Sequence, residues 1–268
     1  MPRANRHYIP GYVWHITHRC HKKEFLLRFA RDKRQWITWL FEARKRYGLS
    51  ILSYMVTSNH IHLLVSDNGD EDTIPKSIQL IAGRTGQQYN QRKQRKGAFW
   101  EDRYHATAVE SDEHLMKCMV YMALNMVRAG VVKHPEDWPY SGYHEIQTPR
   151  DRYRIIDYAQ LMTLFSLRDM KELQKAYRER IQEGCMRQGI ARESKWAESI
   201  AVGSKMFVED TKEKLGIKAH GREVMGEDGT YQLREATEPY GYTFAPENDD
   251  LRLENRYFWD DISSISRG

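Results

Sequence analysis

Apolar and polar residues alternate along several short segments in the first half of the chain, and longer segments between them repeat apolar residues at helical spacing. A period of two predicts half-buried strands, and a period near 3.6 predicts amphipathic helices. The pattern predicts, in chain order, a strand at 12–19, a helix at 32–47, strands at 49–55 and 56–65, a helix from 73 through 89, a strand at 104–109 and a helix at 112–130. This β-α-β-β-α-β order with one further helix predicts an α+β fold built on a ferredoxin-like antiparallel sheet.

Beyond residue 145 the pattern changes. Helical spacing recurs at 157–165, 169–182, 193–200 and 203–215, and Ser204 is a suitable N-cap for the last of these helices. From 221 onwards the chain is rich in glycine, proline and acidic residues, with isolated aromatic residues, and such a segment is expected to be partly disordered. The sequence therefore predicts a domain at 1–145, a helical appendage at 146–220 and an acidic tail at 221–268.

The strand at 56–65 carries two histidines, His60 and His62, on the face opposite Ile61 and Leu63. Residues two apart in a strand share a face, with Cα atoms about 6.5–7 Å apart, so both imidazoles can converge on one metal ion. The alternative is a pair of polar side chains that face solvent. An apolar strand directly precedes this one, which favours a place inside the sheet, where two histidines without a role are uncommon.

The helix predicted at 112–130 has apolar stripes on two sides and a polar wedge between them. Such a helix is largely buried, so the wedge must face a polar surface, and the histidine face of the sheet is the obvious partner. Tyr121 and Asn125 are four residues apart and lie on one side of the helix. Since most tyrosines are packing residues, the helix alone leaves the role of Tyr121 open. The wedge consists of Lys117, Arg128, Tyr121, His114 and Asn125.

Charge is distributed unevenly along the chain. From Glu223 to the end there are eleven acidic and four basic residues, a net charge of −7, which leaves +12 on the first 222 residues of a chain with +5 in total. A body this basic favours a polyanion as partner, and nucleic acid fits better than an acidic membrane because no basic amphipathic helix with a wide apolar face is present. The alternative is an ordinary solvated surface. The acidic tail is either a solubilising end or an intramolecular mimic of the polyanion.

Hydropathy and cysteine content bear on whether the protein crosses a membrane, is exported or forms disulfides. The sequence has no apolar run near the roughly 18 residues of a membrane span, and its N-terminal residues lack the apolar stretch of a signal peptide. A soluble, cytoplasmic protein is therefore expected. Three scattered cysteines form neither a disulfide framework nor a zinc-binding pattern, so buried side chains or free thiols are expected.

Basic and aromatic residues are mixed between the second helix and the strand at 104–109. Phosphates need positive charge and unstacked bases need a flat partner, so the mixture suits single-stranded DNA. The alternative is a solvated loop followed by core aromatic residues. Basic residues on the helix at 169–182 make the appendage a further candidate for DNA binding, against the alternative of a packed extension. The candidate DNA-binding residues are Arg3, Arg6, Arg92, Lys93, Arg95, Lys96, Trp100, Arg103, Tyr104 and Arg128.

Three blocks of sequence, in this order, resemble a known family: Ser58-Asn-His-Ile-His-Leu-Leu-Val65, Gly97-Ala-Phe-Trp-Glu-Asp-Arg-Tyr104 and Tyr121-Met-Ala-Leu-Asn-Met-Val-Arg-Ala-Gly130. They are similar to the HUH single-tyrosine transposases of the IS200 type, and most similar to the branch associated with repetitive extragenic palindromes (REP) in bacteria. The likeness spans about 8–143. Two positions depart from the branch, since Met126 stands where proline is usual and Glu101 where glutamine is usual.

The resemblance implies a metal-dependent endonuclease and strand transferase that acts on single-stranded DNA near hairpin-forming repeats. In the family, two histidines and a side-chain amide or carboxylate hold a divalent cation, which implies His60, His62 and Asn125 as ligands of Mg²⁺ or Mn²⁺. His114 is the rival third ligand. Tyr121 is then the nucleophile that forms a 5′-phosphotyrosine and releases a 3′-hydroxyl. The ester conserves the bond energy, so no nucleotide cofactor is implied.

Two other classes use parts of the same pattern. A non-catalytic protein that binds single-stranded nucleic acid would use the same sheet, but RNA-recognition sheets place aromatic residues where this one has His60 and His62. A zinc hydrolase would need a further His, Asp or Glu near the pair and would not need Tyr121. The identity of the metal and a covalent protein–DNA adduct distinguish the three classes.

Overall fold

The computed structural model describes residues 9–186, 193–227 and 229–235. Its first eight helices and strands follow the predicted order, which confirms the ferredoxin-like α+β prediction. They are β1 (Val13–Arg19), α1 (Ala30–Tyr47), β2 (Ser50–Val56), β3 (His60–Ser66), α2 (Thr73–Lys93), β4 (His105–Val109), α3 (Glu113–Ala123) and α4 (Asn125–Arg128).

The first four strands lie in the order β2-β3-β1-β4, and each neighbouring pair is antiparallel. β3 is therefore an interior strand, as the sequence predicted. Thr17 of β1 pairs with His62, and Arg19 pairs with His60. Paired residues share a face of the sheet, and His15 is two residues from Thr17, so His15 points to the same side as both histidines.

The opposite face of the sheet is apolar. Ile61 and Leu63 are at most 2% exposed and belong to one core with Trp36 and Leu40 of α1. The helix α1 ends at Gly48, whose left-handed φ of 68° suits a residue without a side chain. Because side chains alternate along β3, burying its apolar side leaves both histidines on the other face.

The helix predicted at 112–130 is interrupted by one residue, so the prediction of a continuous helix is wrong there. Leu124 lies between α3 and α4 with φ −77° and ψ 1°, outside the α-helical range. Hydrogen bonds still cross the break, from Leu124 N to Val120 O and from Arg128 N to Leu124 O. Residues on either side of the break therefore keep nearly helical positions relative to each other.

The second half of the chain adds helices and three strands. β5 pairs in parallel with β4 through Ala201 and Ala108, and β7 and β6 extend the sheet to seven strands, in the order β2-β3-β1-β4-β5-β7-β6. The elements are α5 (Tyr143–Gln147), α6 (Tyr158–Leu164), α7 (Met170–Met186), α8 (Lys195–Glu198), β5 (Ala201–Gly203), α9 (Lys205–Leu215), β6 (Arg222–Glu227) and β7 (Thr230–Glu235). Short 3-10 helices lie at His21–Lys23, Pro135–Asp137 and Gly216–Ala219.

The sequence pattern found the longer C-terminal helices and missed the strands. The hydroxyl of Ser204 accepts a hydrogen bond from the Phe207 N–H, so it caps α9 as predicted. β5 has three residues, too few to show a period. β6 and β7 are charged and were assigned to the acidic tail. Asp228-Gly229 between them is a typical hairpin turn in the sequence, and this signal could have found both strands.

The described residues up to Glu235 belong to one compact unit, so the helices predicted as an appendage share a core with the first domain. Most of the predicted acidic tail, residues 236–268, lies outside the described residues, and so do Arg3 and Arg6. None of the helices within the described ranges is long and apolar enough to cross a bilayer.

Candidate active site

The open face of the sheet carries the histidine pair. His60 and His62 project from the same side of β3, with ring centroids 5.0 Å apart and ring planes at 79°. His62 is 3% exposed, and His60 is partly exposed. Two imidazoles at this separation can direct nitrogens towards one divalent cation.

Tyr121 and Asn125 lie opposite His62. Nδ2 of Asn125 is 3.0 Å from Nε2 of His62. The Tyr121 ring packs edge-on against the His62 ring, with centroids 5.9 Å apart and planes at 87°. The fold therefore brings together the nucleophile and the three metal ligands that the sequence suggested: His60, His62, Tyr121 and Asn125.

Local hydrogen bonds orient the His60 ring. Its Nδ1 is 2.7 Å from Oδ1 of Asn59. Nδ2 of Asn59 donates to the carbonyl of Lys23 at 3.3 Å, which determines the end of the amide that faces His60. Because an amide oxygen accepts and does not donate, Nδ1 of His60 carries the proton and Nε2 is the unprotonated nitrogen.

A second series of hydrogen bonds links His62 to the C-terminal half of the chain. Nδ1 of His62 is 2.9 Å from Nε2 of His15, and Nδ1 of His15 is 2.8 Å from the carbonyl oxygen of Trp196. Burial lowers the pKa of His15 to about 4, although the Trp196 carbonyl acts in the opposite direction. Sequence reasoning missed His15, and its place in the alternating first strand is the signal that could have found it.

Two side chains enclose the Tyr121 ring. The guanidinium carbon of Arg128 lies 4.1 Å from the ring centroid, and the Trp196 ring lies at 6.1 Å with its plane tilted by 36°. A guanidinium over an aromatic face is an attractive contact. It also places positive charge beside the phenol, where a phosphate group would need it. Arg128 therefore lies within the candidate active site.

The donor set decides which metals fit. Within the ranges that the structure describes, no three His, Cys, Asp or Glu side chains are grouped so as to hold a metal ion. His114, the rival third ligand, contacts a carboxylate oxygen of Glu110 at 3.1 Å instead. The remaining set is two imidazoles and the Asn125 amide, whose oxygen would face them after a half-turn of the amide. Mixed nitrogen and oxygen ligands suit Mn²⁺ or Mg²⁺, and this set lacks the third His, Asp or Glu that a zinc hydrolase would need.

The basic candidates between α2 and β4 fall into two groups. Arg92 pairs with the buried carboxylate of Asp32, and Arg95 lies 3.5 Å from a carboxylate oxygen of Glu24. These two arginines therefore have structural partners on neighbouring elements. The second group is exposed and consists of Lys93, Lys96 and Arg103.

The aromatic candidates make internal contacts. Trp100 stacks on His18, with centroids 4.1 Å apart, and its indole N–H donates to the carbonyl of Ala82 at 3.0 Å. Tyr104 is 4% exposed. Packing accounts for these contacts of both rings, and their proposed contact with DNA bases stays a prediction.

A ferredoxin-like sheet with a histidine pair on one face, opposed by a tyrosine and an asparagine, is the arrangement expected of a single-tyrosine transposase domain. Residues 10–123 match the family model described as "Transposase IS200 like". Residues 10–123 are therefore similar to IS200-like transposases, and the resemblance inferred from the sequence is confirmed. The matched segment includes both histidines and Tyr121 and ends two residues before Asn125.

Individual relatives are more distant. A Haemophilus influenzae protein described as a REP-associated tyrosine transposase is 25% identical over 109 residues, which cover 37% of this chain and 62% of the relative. A solved structure of a REP-associated tyrosine transposase bound to a REP hairpin is 21% identical, with a TM-score of 0.47, over 58% of this chain and 90% of the other. A structure described as a transposase from Deinococcus radiodurans is 17% identical, with a TM-score of 0.32, over 42% of this chain and 88% of the other. The chain thus spans less than two thirds of the length of the curated relative.

Proposed function

We propose that the protein is a transposase, a metal-dependent endonuclease and strand transferase that cleaves single-stranded DNA through a 5′-phosphotyrosine intermediate. The observation that carries the proposal is the position of Tyr121 and Asn125 against His62. Phosphodiester cleavage requires a nucleophile beside a group that neutralises phosphate charge, and this site combines both. The similarity of residues 10–123 to IS200-like transposases supports the same chemistry.

His60, His62 and Asn125 would hold a divalent cation, Mg²⁺ or Mn²⁺. When bound, the cation would neutralise charge on the non-bridging oxygens of the scissile phosphate. The neighbour Asn59 supports this assignment, because its amide oxygen accepts a hydrogen bond from the Nδ1–H of His60 and leaves Nε2 of that ring unprotonated. Nδ1 of His62 likewise lies 2.9 Å from a ring nitrogen of His15. A histidine must present an unprotonated nitrogen in order to bind a metal.

Tyr121 supplies the nucleophile in this proposal. Its phenolic oxygen loses a proton and forms a bond to phosphorus, while the bond from phosphorus to the 3′ oxygen breaks and that oxygen leaves as a 3′-hydroxyl after gaining a proton. The downstream strand stays attached through its 5′ phosphate. Attack by a 3′-hydroxyl of another strand end on the same phosphorus reverses the linkage and releases Tyr121. Each step exchanges one ester for another, so no nucleotide cofactor is needed.

The proposed substrate is a single strand with hairpins or palindromic repeats. The relative from Haemophilus influenzae is named for REP sequences, which supports this substrate class. The exposed residues Lys93, Lys96 and Arg103 offer charge to phosphates along the strand. Arg128 is the proposed contact of the scissile phosphate itself, and the position of its guanidinium over the Tyr121 ring supports this role.

The proposal is tested by incubating the protein with labelled single strands that carry a hairpin, in the presence of Mn²⁺. We expect a covalent protein–DNA adduct that survives denaturation and a released strand that ends in a 3′-hydroxyl. Excess chelator should abolish both, and a scrambled strand without a hairpin is the matched control. Tight binding of the hairpin strand with no adduct under any metal condition would identify a non-catalytic binding protein and contradict the proposal.

A further inference from the structure

We propose that His15 is a positioning residue that, held by the backbone carbonyl of Trp196, keeps His62 in the tautomer whose Nε2 is unprotonated. The inference rests on the proposed function, because that nitrogen is the one proposed to bind the metal. It assigns a role to a residue outside the histidine pair and gives the C-terminal half of the chain a part in building the active site.

The direction of each hydrogen bond follows from the acceptor at the end of the series. A backbone carbonyl accepts and does not donate, so the contact of 2.8 Å requires a proton on Nδ1 of His15. A neutral His15 then has its lone pair on Nε2, which accepts from Nδ1 of His62 at 2.9 Å. A neutral His62 in turn has its lone pair on Nε2, where the Nδ2 of Asn125 lies at 3.0 Å as a donor. One carbonyl thereby sets the tautomers of two rings in succession.

The geometry of the two rings suits this role. The planes of His15 and His62 differ by 4°, and a nitrogen lone pair lies in the plane of its ring, so the contact between them is nearly ideal for a hydrogen bond. His15 is fully buried and His62 is 3% exposed. Since water cannot easily replace a buried partner, losing the acceptor on His15 would remove a hydrogen bond that helps to fix the tautomer of His62.

The carbonyl of Trp196, which accepts the last hydrogen bond of the series, is itself held in place by its surroundings. Trp196 lies in α8 and is fully buried, and its backbone oxygen also lies 3.5 Å from the Thr107 hydroxyl of β4. Immediately after α8, Ile200 N bonds the Leu233 carbonyl of β7, and the Ile200 carbonyl accepts from Ala108 N. This anchoring fixes the carbonyl relative to β1. Trp196 lies beyond residues 10–123, the segment that matches the transposase family model.

Three variants separate the two hydrogen bonds of His15. His15→Phe keeps a planar ring and removes both bonds. His15→Asn can still donate to the Trp196 carbonyl but is too short to reach His62. His15→Gln extends its amide to the place of Nε2 and can still accept from His62. If the hydrogen bond to His15 sets the tautomer of His62, the Gln variant should behave like wild type and the Asn and Phe variants should not.

The first measurement is made on metal-free protein labelled with ¹⁵N in its histidines. Long-range proton–nitrogen NMR correlations report which nitrogen of each ring carries the proton, and His62→Gln identifies the signals of His62. We expect a protonated Nδ1 in wild type and in His15→Gln, and a shift towards a protonated Nε2 in His15→Asn and His15→Phe. Thermal melting and the backbone amide spectrum establish that each variant is folded.

The second measurement is Mn²⁺ binding to the same proteins by titration calorimetry. Loss of the hydrogen-bond partner of a metal-bound histidine typically costs about 10- to 100-fold in metal affinity, and we expect this loss in His15→Asn and His15→Phe but not in His15→Gln. A wild-type His62 with its proton on Nε2, or folded Asn and Phe variants with the wild-type tautomer, would overturn the proposal. If the wild-type protein shows the expected tautomers but binds no Mn²⁺, the result would support the positioning role of His15 and contradict the proposed metal site.

Discussion

The amide of Asn125 lies 3.0 Å from Nε2 of His62, and this polar contact joins the helix pair α3–α4 to the interior strand β3. The neighbouring side chains Leu115, Met119 and Met122 are almost completely buried. The apolar packing of α3 therefore holds Asn125 and Tyr121 at a fixed height above the histidine face. Substitutions of Tyr121 or Asn125 should therefore change the activity while the apolar contacts that support the fold remain.

Replacing Tyr121 with phenylalanine should abolish the covalent adduct and strand cleavage, because the phenolic oxygen is the only atom lost. Loss of a catalytic nucleophile reduces rates by at least about a thousandfold. Hairpin binding, measured by fluorescence anisotropy, should be unchanged within about twofold. Tyr104→Phe is the matched control, since it also removes one phenolic oxygen from a buried ring and the variant should still form the adduct. An adduct that persists in Tyr121→Phe would assign the nucleophile to another residue.

Alanine in place of His60 or of His62 should reduce cleavage at least about 100-fold, because each imidazole is one of the three proposed protein ligands. Chelation of the wild-type protein should have the same effect, and added Mn²⁺ or Mg²⁺ should restore activity. Asn125→Ala should lose less, since water can replace an amide ligand, and Asn125→Asp should bind Mn²⁺ more tightly than wild type. Full cleavage by wild type in excess chelator would refute the metal role.

Replacing Arg128 with alanine should slow cleavage by roughly 100-fold, because the guanidinium over Tyr121 is placed to neutralise developing charge on the phosphate. The lost cation–π contact should lower the free energy of unfolding by only about 1 kcal/mol. Arg128→Lys, which keeps the charge, should retain more activity than Arg128→Ala. The exposed Lys45 on the distant end of α1 provides a control, and Lys45→Ala should cleave at the wild-type rate.

The basic residues near α2 should separate into two behaviours. Lys96→Ala and Arg103→Ala should weaken single-strand binding and reduce the slope of log affinity against log salt by about 0.7 for each lost phosphate contact. Arg92→Ala should instead lower stability by about 3 kcal/mol, because it strands the buried carboxylate of Asp32. Denaturant unfolding and salt-dependent anisotropy measure the two effects. An Arg92→Ala protein of unchanged stability would contradict a structural role for this ion pair.

Removing residues 236–268 should strengthen single-strand binding at low salt. This segment holds seven acidic and three basic residues, a net charge of −4, beside a basic body, and a tethered segment can compete at millimolar effective concentration. The gain should shrink as salt rises, since both contacts are electrostatic. Truncation after Glu235 spares β6 and β7, whereas a cut at Glu223 would remove paired strands of the sheet. Equal or weaker binding by the folded, truncated protein would show that the segment does not inhibit.

Much of the fold was predictable because its signals are local. Alternation of residues fixes which face of a strand is buried, so the sequence alone placed Ile61 and Leu63 on one side and the histidines on the other. A spacing of four placed Tyr121 and Asn125 on one side of a helix. The order of strands and helices then limited the topology to a ferredoxin-like sheet. Asn59 contacts the neighbouring ring of His60, although its amide is oriented by the carbonyl of Lys23, 36 residues away.

Contacts between distant parts of the chain were decided by the tertiary structure. His15 and Trp196 are 181 residues apart in sequence, and no local period records that one ring nitrogen meets the other residue's carbonyl. β5 joins the sheet through two paired residues, which is too short a match to leave a pattern. The contacts of Trp100 and Tyr104 with His18 also depend on the tertiary structure, while the contact of both rings with DNA bases stays a prediction. The sequence therefore determined the faces on which the histidine pair and Tyr121 lie, because each depends on spacing within one element. The tertiary structure decided what surrounds them, because burial and hydrogen-bond partners depend on which elements pack together.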